Sequence, residues 1–526
     1  MSKEKDPQLV LHLSKKGVDN KMVMGHPAGL FILFFTEMWE RFSYYGMRAL
    51  LVLFLVSQIS TGGWEWTRED AMQLYGVYTM LVYFTPLIGG MIADKITGYK
   101  KAIVLGALIM TLGHAAMALE LLNSFFFYIG LGLLILGNGL FKPNISSMVG
   151  QLYPDSSSKK DAGYTIFYMG INAGAFLGML LCGYIGEKIG WHYGFGLAGI
   201  FMLFGMLQFY FATHYFGTIG ETHKEHVENV EKHIEEEDEK IPAKVRRDRL
   251  VVVGVFMFFS IFFFLAFEQA GGSMSIFAKD YTQRVLTGSA GATFKWVDSI
   301  LTVFPMLIVS FVLYKLGKEI YAKYPATIIF TAISFIIIWA LGLWKINREF
   351  STVETEVAAS WFQILNSFFI ITLASGFSTL WEKVWNPSGP IKFALGLLLV
   401  GLGFAVLAYG AKDIPQGAAT ASVSMFWLVA AYFFHTTGEL CLSPVGLSYV
   451  SKLSPAKLSG LIFGLWFTAS AIANGIAGFS GGLIDKISSE HSIAYFFGIF
   501  AVLPAGAGVI LLLLTPKLKK MMHGIH

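Results

Sequence analysis

The feature that most limits what this chain can become is the recurrence of long apolar runs, about 14 stretches of 18 or more residues beginning at Leu30. Each is long enough to cross the roughly 30 Å hydrocarbon layer as a helix. At about 20 residues apiece they use just over half of the 526 residues, which leaves too little chain for a large extramembrane domain. Only 14% of the residues are charged, against roughly 25% in soluble domains. The expected fold class is therefore all-α, a polytopic membrane protein whose working parts lie inside the lipid bilayer.

Composition removes several other classes. The formal net charge of +4 comes from basic residues scattered over short loops, which gives no nucleic-acid footprint. Cys182 and Cys441 both sit in apolar runs far apart in sequence, so no disulfide framework or Cys-based metal site is expected. The N-terminal stretch lacks an apolar h-region with a small-residue cleavage site, so no removable signal peptide is expected. No HExxH, GxSxG or clustered His/Asp set occurs, and the expectation is a protein that is not an enzyme and uses no metal or organic cofactor.

The polar stretch 217–249 contains the acidic run Glu235, Glu236, Glu237, Asp238 and Glu239, followed by Arg246, Arg247 and Arg249. It reads as a solvated connector between six spans and eight. The expected organisation is an N-terminal segment 1–27, a six-helix bundle 28–216, the linker 217–249, a second bundle 250–516 with an added hairpin at 299–344, and a tail 517–526. Lys and Arg are about three times as numerous in the loops on the side of the N-terminus as on the other, which places N- and C-termini in the cytoplasm. Two similar bundles rocking about a midplane site are a common plan of secondary carriers. Between spans two and three, Gly90-x-x-x-Asp94-Lys95-x-x-Gly98-x-Lys100-Lys101 resembles the loop motif of the major facilitator superfamily at the position where that family carries it.

Seven ionisable residues fall inside apolar spans: Glu37, Glu40, Arg41 and Arg48 in span one, Lys142 in span four, Glu268 in span seven and Glu439 in a late span. Charges at membrane depth cost a few kcal/mol each on insertion scales and by default mark pathways or proton relays. At about 100° per residue, Glu37, Arg41, Tyr44, Tyr45 and Arg48 share one helix stripe with Glu40 at its flank. That stripe must face the bundle interior or a water-filled cavity. Four acids against three bases predict mutual pairing with capacity left for a proton or a charged ligand. Lys142 stands beside Pro143, which kinks the helix and frees a backbone carbonyl.

Glu37-x-x-Glu40-Arg41-Phe42-x-Tyr44-Tyr45-Gly46 resembles the ExxERFxYYG motif of the proton-dependent oligopeptide transporters, a branch of the major facilitator superfamily. The resemblance continues through Gly137 to Asn144, Phe167-Tyr168-x-x-Ile171-Asn172-x-Gly174, Phe267-Glu268-Gln269, Trp361-Phe362-Gln363-x-x-Asn366 and Gly438-Glu439-Leu440-x-x-Ser443-Pro444-x-Gly446. It implies a proton-coupled symporter in a bacterial inner membrane that imports di- and tripeptides. On the same resemblance Glu37 and Glu40 respond to protons with Arg41 and Lys142 as alternating partners, and Arg48 and Glu268 bridge the two bundles. Peptide carboxylate would go to Arg41, Arg48 and Lys142, and peptide ammonium to Glu439 with Asn172 and Asn366. Tyr44, Tyr45, Tyr83, Ser443 and Trp466 would line the site.

Relatives of this family also move nitrate, other anions or peptide-like drugs, and Glu439 argues against a nitrate carrier because an acid serves an ammonium. His114 and His435 are expected to pack or hydrogen-bond. Phe264 stands where family members often have tryptophan, and the added hairpin follows the Glu268 span, whereas many bacterial relatives place such a pair between the bundles.

Overall fold

In the computed structural model, residues 7–154, 157, 159–221, 242–455 and 458–525 are described. Most of the linker expected at 217–249, including the acidic run 235–239, lies outside the described residues. Twelve of the described helices are long and apolar enough to cross a membrane. Two more are as long but carry charges near their middles, α2 (Ala28–Val56) and α14 (Phe426–Leu453). The chain is a multi-pass helical membrane protein.

After the short helix α1 (Pro7–Lys15) and a small ribbon pairing β1 (Met22–Val23) with β2 (His26–Pro27), the first half runs through six long helices. These are α2, α3 (Arg68–Ile92), α4 (Tyr99–Ala118), α5 (Ser124–Gln151), α6 (Lys160–Lys188) and α7 (Trp191–Ala212). The rest comprises α8 (Ala243–Phe267), α9 (Ser273–Asp280), α10 (Gly288–Ile320), α11 (Pro325–Ser351), α12 (Ile364–Thr379), α13 (Gly389–Gly410), α14, α15 (Ser459–Gly482), α16 (Ile484–Glu490) and α17 (Ile493–Met521). A second ribbon pairs β3 (Val285–Leu286) with β4 (Thr355–Glu356). Helix α1 and the end of α17 lie on one face, called here the terminal face.

Helix α2 is central to the first half and packs on α6 and α7. A Cβ on Gly174 would come within 2.1 Å of the Met38 carbonyl oxygen, and one on Gly178 within 2.2 Å of that of Phe42. Small residues let two membrane helices approach to backbone contact. This contact aims the charged stripe of α2 away from α6 and into the molecule. Helices α3 and α12 end on the terminal face in wide π-turns, Ala93–Thr97 and Leu380–Val384. Beyond the first, Gly98 takes a φ of 71°, open to glycine, and Lys100 Nζ donates to the Gly217 carbonyl at 2.7 Å and to Glu221 at 3.1 Å. The loop motif thus ties the start of α4 to the chain leaving α7.

Two expectations need correction. Span seven is not one helix: α8 stops at Phe267, Glu268–Gly271 forms a 3₁₀ turn, and α9 resumes at Ser273. The sequence Ala270-Gly271-Gly272 supplies the weak point, since glycine in a helix interior costs up to about 1 kcal/mol. The added hairpin is longer than 299–344, because α10 and α11 extend to 288 and 351. Lys295, Asp298 and Lys345 ended the apolar runs in sequence, yet all three are buried and bonded inside the protein.

His114 and His435 are both buried; His435 lies 4.5 Å from the Phe404 ring, and neither ring finds a hydrogen-bond partner among the described residues. His114 packs, and His435 packs on Phe404 while also bordering the cavity described below.

The halves meet across α3 and α15, where Gly76 and Gly478 touch; a Cβ on Gly478 would fall 2.3 Å from the Gly76 Cα. A leucine at 478 is expected to hold these helices apart. The check is maleimide labelling of a cysteine placed at Gln73, which should be several-fold faster in the Gly478→Leu protein than with Gly478 intact.

Candidate functional site

The stripe on α2 folds into two separate charge clusters. In the first, Arg41 Nε forms ion pairs with Glu37 at 3.0 Å and with Glu40, and all three residues are buried. Asn138, from the Gly-Asn-Gly turn of α5, donates to Glu40 Oε1 at 3.0 Å. Among the described residues, Arg41 Nη2 and Glu37 Oε2 have no hydrogen-bond partner. Arg41 therefore holds both carboxylates while keeping donor capacity of its own, and one arginine cannot satisfy two buried anions as fully as water would.

Lys142, on the neighbouring turn of α5, makes no ion pair among the described residues. Its ammonium rests over the Tyr83 ring, 4.4 Å from the centroid, a cation–π contact. Arg41 and Lys142 thus differ sharply in this structure, one committed to two acids and the other held by an aromatic face.

The second cluster lies two turns further along α2. Arg48 forms an ion pair with Glu268, the first residue of the 3₁₀ turn, and its Nε donates to the Tyr75 hydroxyl at 2.9 Å. Tyr45 and Tyr75 flank the guanidinium, with ring centroids at 5.6 and 5.7 Å. The break in span seven brings Glu268 to this position. The pair joins α2 of the first half to the α8–α9 segment of the second, on the side away from the terminal face. Nearer the opposite face, Arg68 at the start of α3 bonds Asp280 at 2.8 Å and Asp485 at 2.6 Å. The two halves are therefore closed on that side by two arginines of the first half held by three acids of the second.

Beneath the Arg48–Glu268 pair is a cavity of about 180 Å³, small against the roughly 300–1,000 Å³ usual for ligand pockets. Of the residues singled out from sequence, Tyr45, Arg48, Tyr83, Asn172, Glu268, Asn366 and Glu439 line it. On the second-half wall, Asn366 donates to Glu439 Oε2 at 2.9 Å and to Thr436 Oγ1 at 3.2 Å, which fixes the carboxylate. Asn172 donates to the Tyr168 carbonyl, one turn back on its own helix. Cationic Arg48 stands on one side and the Glu439 carboxylate on the other.

The remaining candidates lie off the cavity. Glu37, Glu40, Arg41 and Lys142 form the charge cluster beside it, and the buried Tyr44 packs edge-on against Tyr45 at 5.0 Å. Trp466 is buried against Gly446 and edge-on to Phe393. Ser443, half-buried on α14, is not among the lining residues.

The lining residues that were not singled out as site residues include Tyr168, Phe267, Gln363, Tyr432 and His435. The first three belong to motifs quoted above, and their helical spacing from Asn172, Glu268 and Asn366 was a usable signal. Tyr432, two turns before Glu439, carried none. Phe264 also borders the cavity, in the position where tryptophan is common among relatives.

The sequence profile of PTR2, described as the POT family, matches residues 100–235 and 320–497, more than half of the chain. The chain belongs to the POT family. It is 34% identical to the uncharacterized transporter YclF of Bacillus subtilis (strain 168), covering 97% of this chain and 98% of that protein. It is 32% identical to the peptide transporter YePEPT of Yersinia enterocolitica, over 95% and 96% of the two chains. It is 31% identical to a di-/tripeptide transporter of Lactococcus lactis subsp. cremoris, over 96% and 98%. Among solved structures, it superimposes on the peptide transporter POT in complex with alafosfalin with a TM-score of 0.74 at 30% identity, covering 97% and 98%. The fold is accordingly that of the major facilitator POT transporters.

Within this POT chain, Arg48→Ala leaves Glu268 buried without its cation. Breaking a buried pair from one side costs about 3–5 kcal/mol, whereas replacing both partners is close to neutral. The expected outcome is a large fall in the apparent melting temperature of the purified Arg48→Ala protein and recovery of most of it in the Arg48→Met/Glu268→Met double variant.

Proposed function

We propose that this chain is a proton-coupled symporter that imports di- and tripeptides by alternating access, with both termini in the cytoplasm of a bacterial cell and the protein in its inner membrane. The observation that carries the reading is the polarity of the cavity: a fixed carboxylate, Glu439 with Asn366, faces a wall that carries Arg48 and borders Lys142. A zwitterionic peptide presents the complementary pair of charges, ammonium to Glu439 and carboxylate toward Arg48 and Lys142. The small volume suits a compact ligand.

With the N-terminus inside, the face closed by Arg48–Glu268 and Arg68–Asp280 is the external one. Protonation of Glu268 weakens its hold on Arg48 and lets that side open. Protonation of Glu37 or Glu40 lets Arg41 release one carboxylate, and Lys142, one turn along α5 from the Asn138 that bonds Glu40, takes the vacated role. The proton is thus the coupling ion, and each charge moved down the membrane potential supplies roughly 2.3 kcal/mol per 100 mV.

Proteoliposomes carrying the protein should accumulate labelled dipeptide when an inward proton gradient is imposed. A Glu40→Gln variant should lose uphill accumulation while retaining peptide exchange between the two sides. Competition should be confined to di- and tripeptides; inhibition by nitrate or by free amino acids would point to a different solute on the same fold.

A further inference from the structure

The hairpin α10–α11 is inserted between α9 and α12, within the second half of the chain, yet its packing partners are in the first half. Helix α11 packs on α7. At the terminal face Lys323 pairs with Asp19 at 3.0 Å and Tyr324 meets Tyr215. In the first turns of α11, Phe330 stacks on Phe211 with an interplanar angle of 11°, and further along Phe335 packs edge-on to Phe35 and Trp39 of α2. Near the opposite face the Tyr184 hydroxyl of α6 donates to Glu349 at 2.6 Å, and Lys345 and Arg348 lie over the Tyr184 ring.

At that same face the hairpin meets the 359–361 turn of the second half. Asp298 and Lys345 form a buried ion pair joining α10 to α11, and Asp298 Oδ1 accepts from the Trp361 indole N–H at 3.1 Å. The Trp361 ring also touches Phe294, at 5.2 Å between centroids. Beside it, Glu187 at the end of α6 accepts from the Ala359 and Ser360 backbone N–H groups at 2.8 Å and from the Ser360 hydroxyl at 2.5 Å. Residues 359–361 are thus seated in a socket whose walls are α6 and the hairpin. The same short turn leads straight into α12, which carries Asn366 of the cavity.

We propose that the hairpin moves with the first half as one rigid body and forms, with α6, a clasp that holds the 359–361 turn of the second half when the external side is closed. Asp298 is then a positioning residue acting through Trp361, and the clasp is separate from the Arg48–Glu268 and Arg68–Asp280 pairs. A buried carboxylate neutralised by Lys345 keeps a strong acceptor in place for the indole, and hydrogen bonds to charged groups are among the stronger ones. The inference rests on alternating access as read above but not on the identity of the cargo.

The test uses paired spin labels in the full-length protein, with the buried Cys182 and Cys441 left in place. Asn347→Cys at the outer end of α11 is combined with Tyr193→Cys of the first half or with Gln416→Cys of the second, all three sites being exposed. Distances are compared with Glu268 intact and in a Glu268→Gln background, which releases the Arg48 pair. The expected result is a 347–193 distance that stays fixed and a 347–416 distance that lengthens. A fixed 347–416 distance with a changing 347–193 distance overturns the proposal.

In the Glu268-containing protein, Trp361→Phe removes the indole N–H that bonds Asp298 and leaves a smaller aromatic ring in the socket. It should raise the long-distance fraction of the 347–416 pair roughly tenfold or more, the effect of losing one hydrogen bond to a charged group; an unchanged distribution overturns the clasp. These distances require no substrate, so a wrong cargo assignment would leave them as predicted. The distance pairs with Trp361 intact stand whether or not the Trp361→Phe protein is obtained in yield.

Discussion

The structure depends on a shortage of partners for buried charge. Lipid solvates no ion, so every charged side chain at membrane depth must find its counter-charge, a dipole or an aromatic face inside the protein. Arg41 meets this demand for two glutamates at once and Arg48 for one glutamate on the other half. Buried ion pairs add little to stability compared with apolar packing, which is in keeping with the switching role proposed above for them.

The glycines supply what that arrangement needs from the backbone. Contact of α6 with α2 through Gly174 and Gly178 leaves no room for the charged stripe to turn outward. The contact of Gly76 with Gly478 lets α3 and α15 approach far enough for Arg68 to reach Asp280 and Asp485. Close backbone approach thus acts as the geometric partner of the ion pairs: charges determine which elements must meet, and the missing side chains determine how near they can come.

Much of this was legible in the sequence. The apolar runs dictate the helical membrane class, and the spacing of Glu37, Arg41, Tyr45 and Arg48 puts them on one helix face. Other features were hidden for definite reasons. Asp298 and Lys345 looked like loop charges because each bounds an apolar run, and only the tertiary contact between α10 and α11 reveals them as a buried pair. The side on which the hairpin packs cannot be read from its place in the chain, since aromatic residues such as Phe330 and Phe335 suit any apolar neighbour. The interruption at Glu268 was written in Gly271 and Gly272, but hydropathy averages across such a short break. Trp466 and Tyr44, which the family resemblance alone puts with the lining residues, turn inward to packing sites that spacing does not distinguish from a cavity wall.

Tyr83 has a consequence of its own. Its ring borders the ligand cavity and carries the Lys142 ammonium, while the Glu37–Glu40–Arg41 cluster lies off the cavity. The Tyr83 ring thus touches both the cavity and the Lys142 ammonium. On the function proposed above, a solute that packed against that ring would press on the cation held over it, and one aromatic side chain would couple the cargo site to the charge cluster beside it.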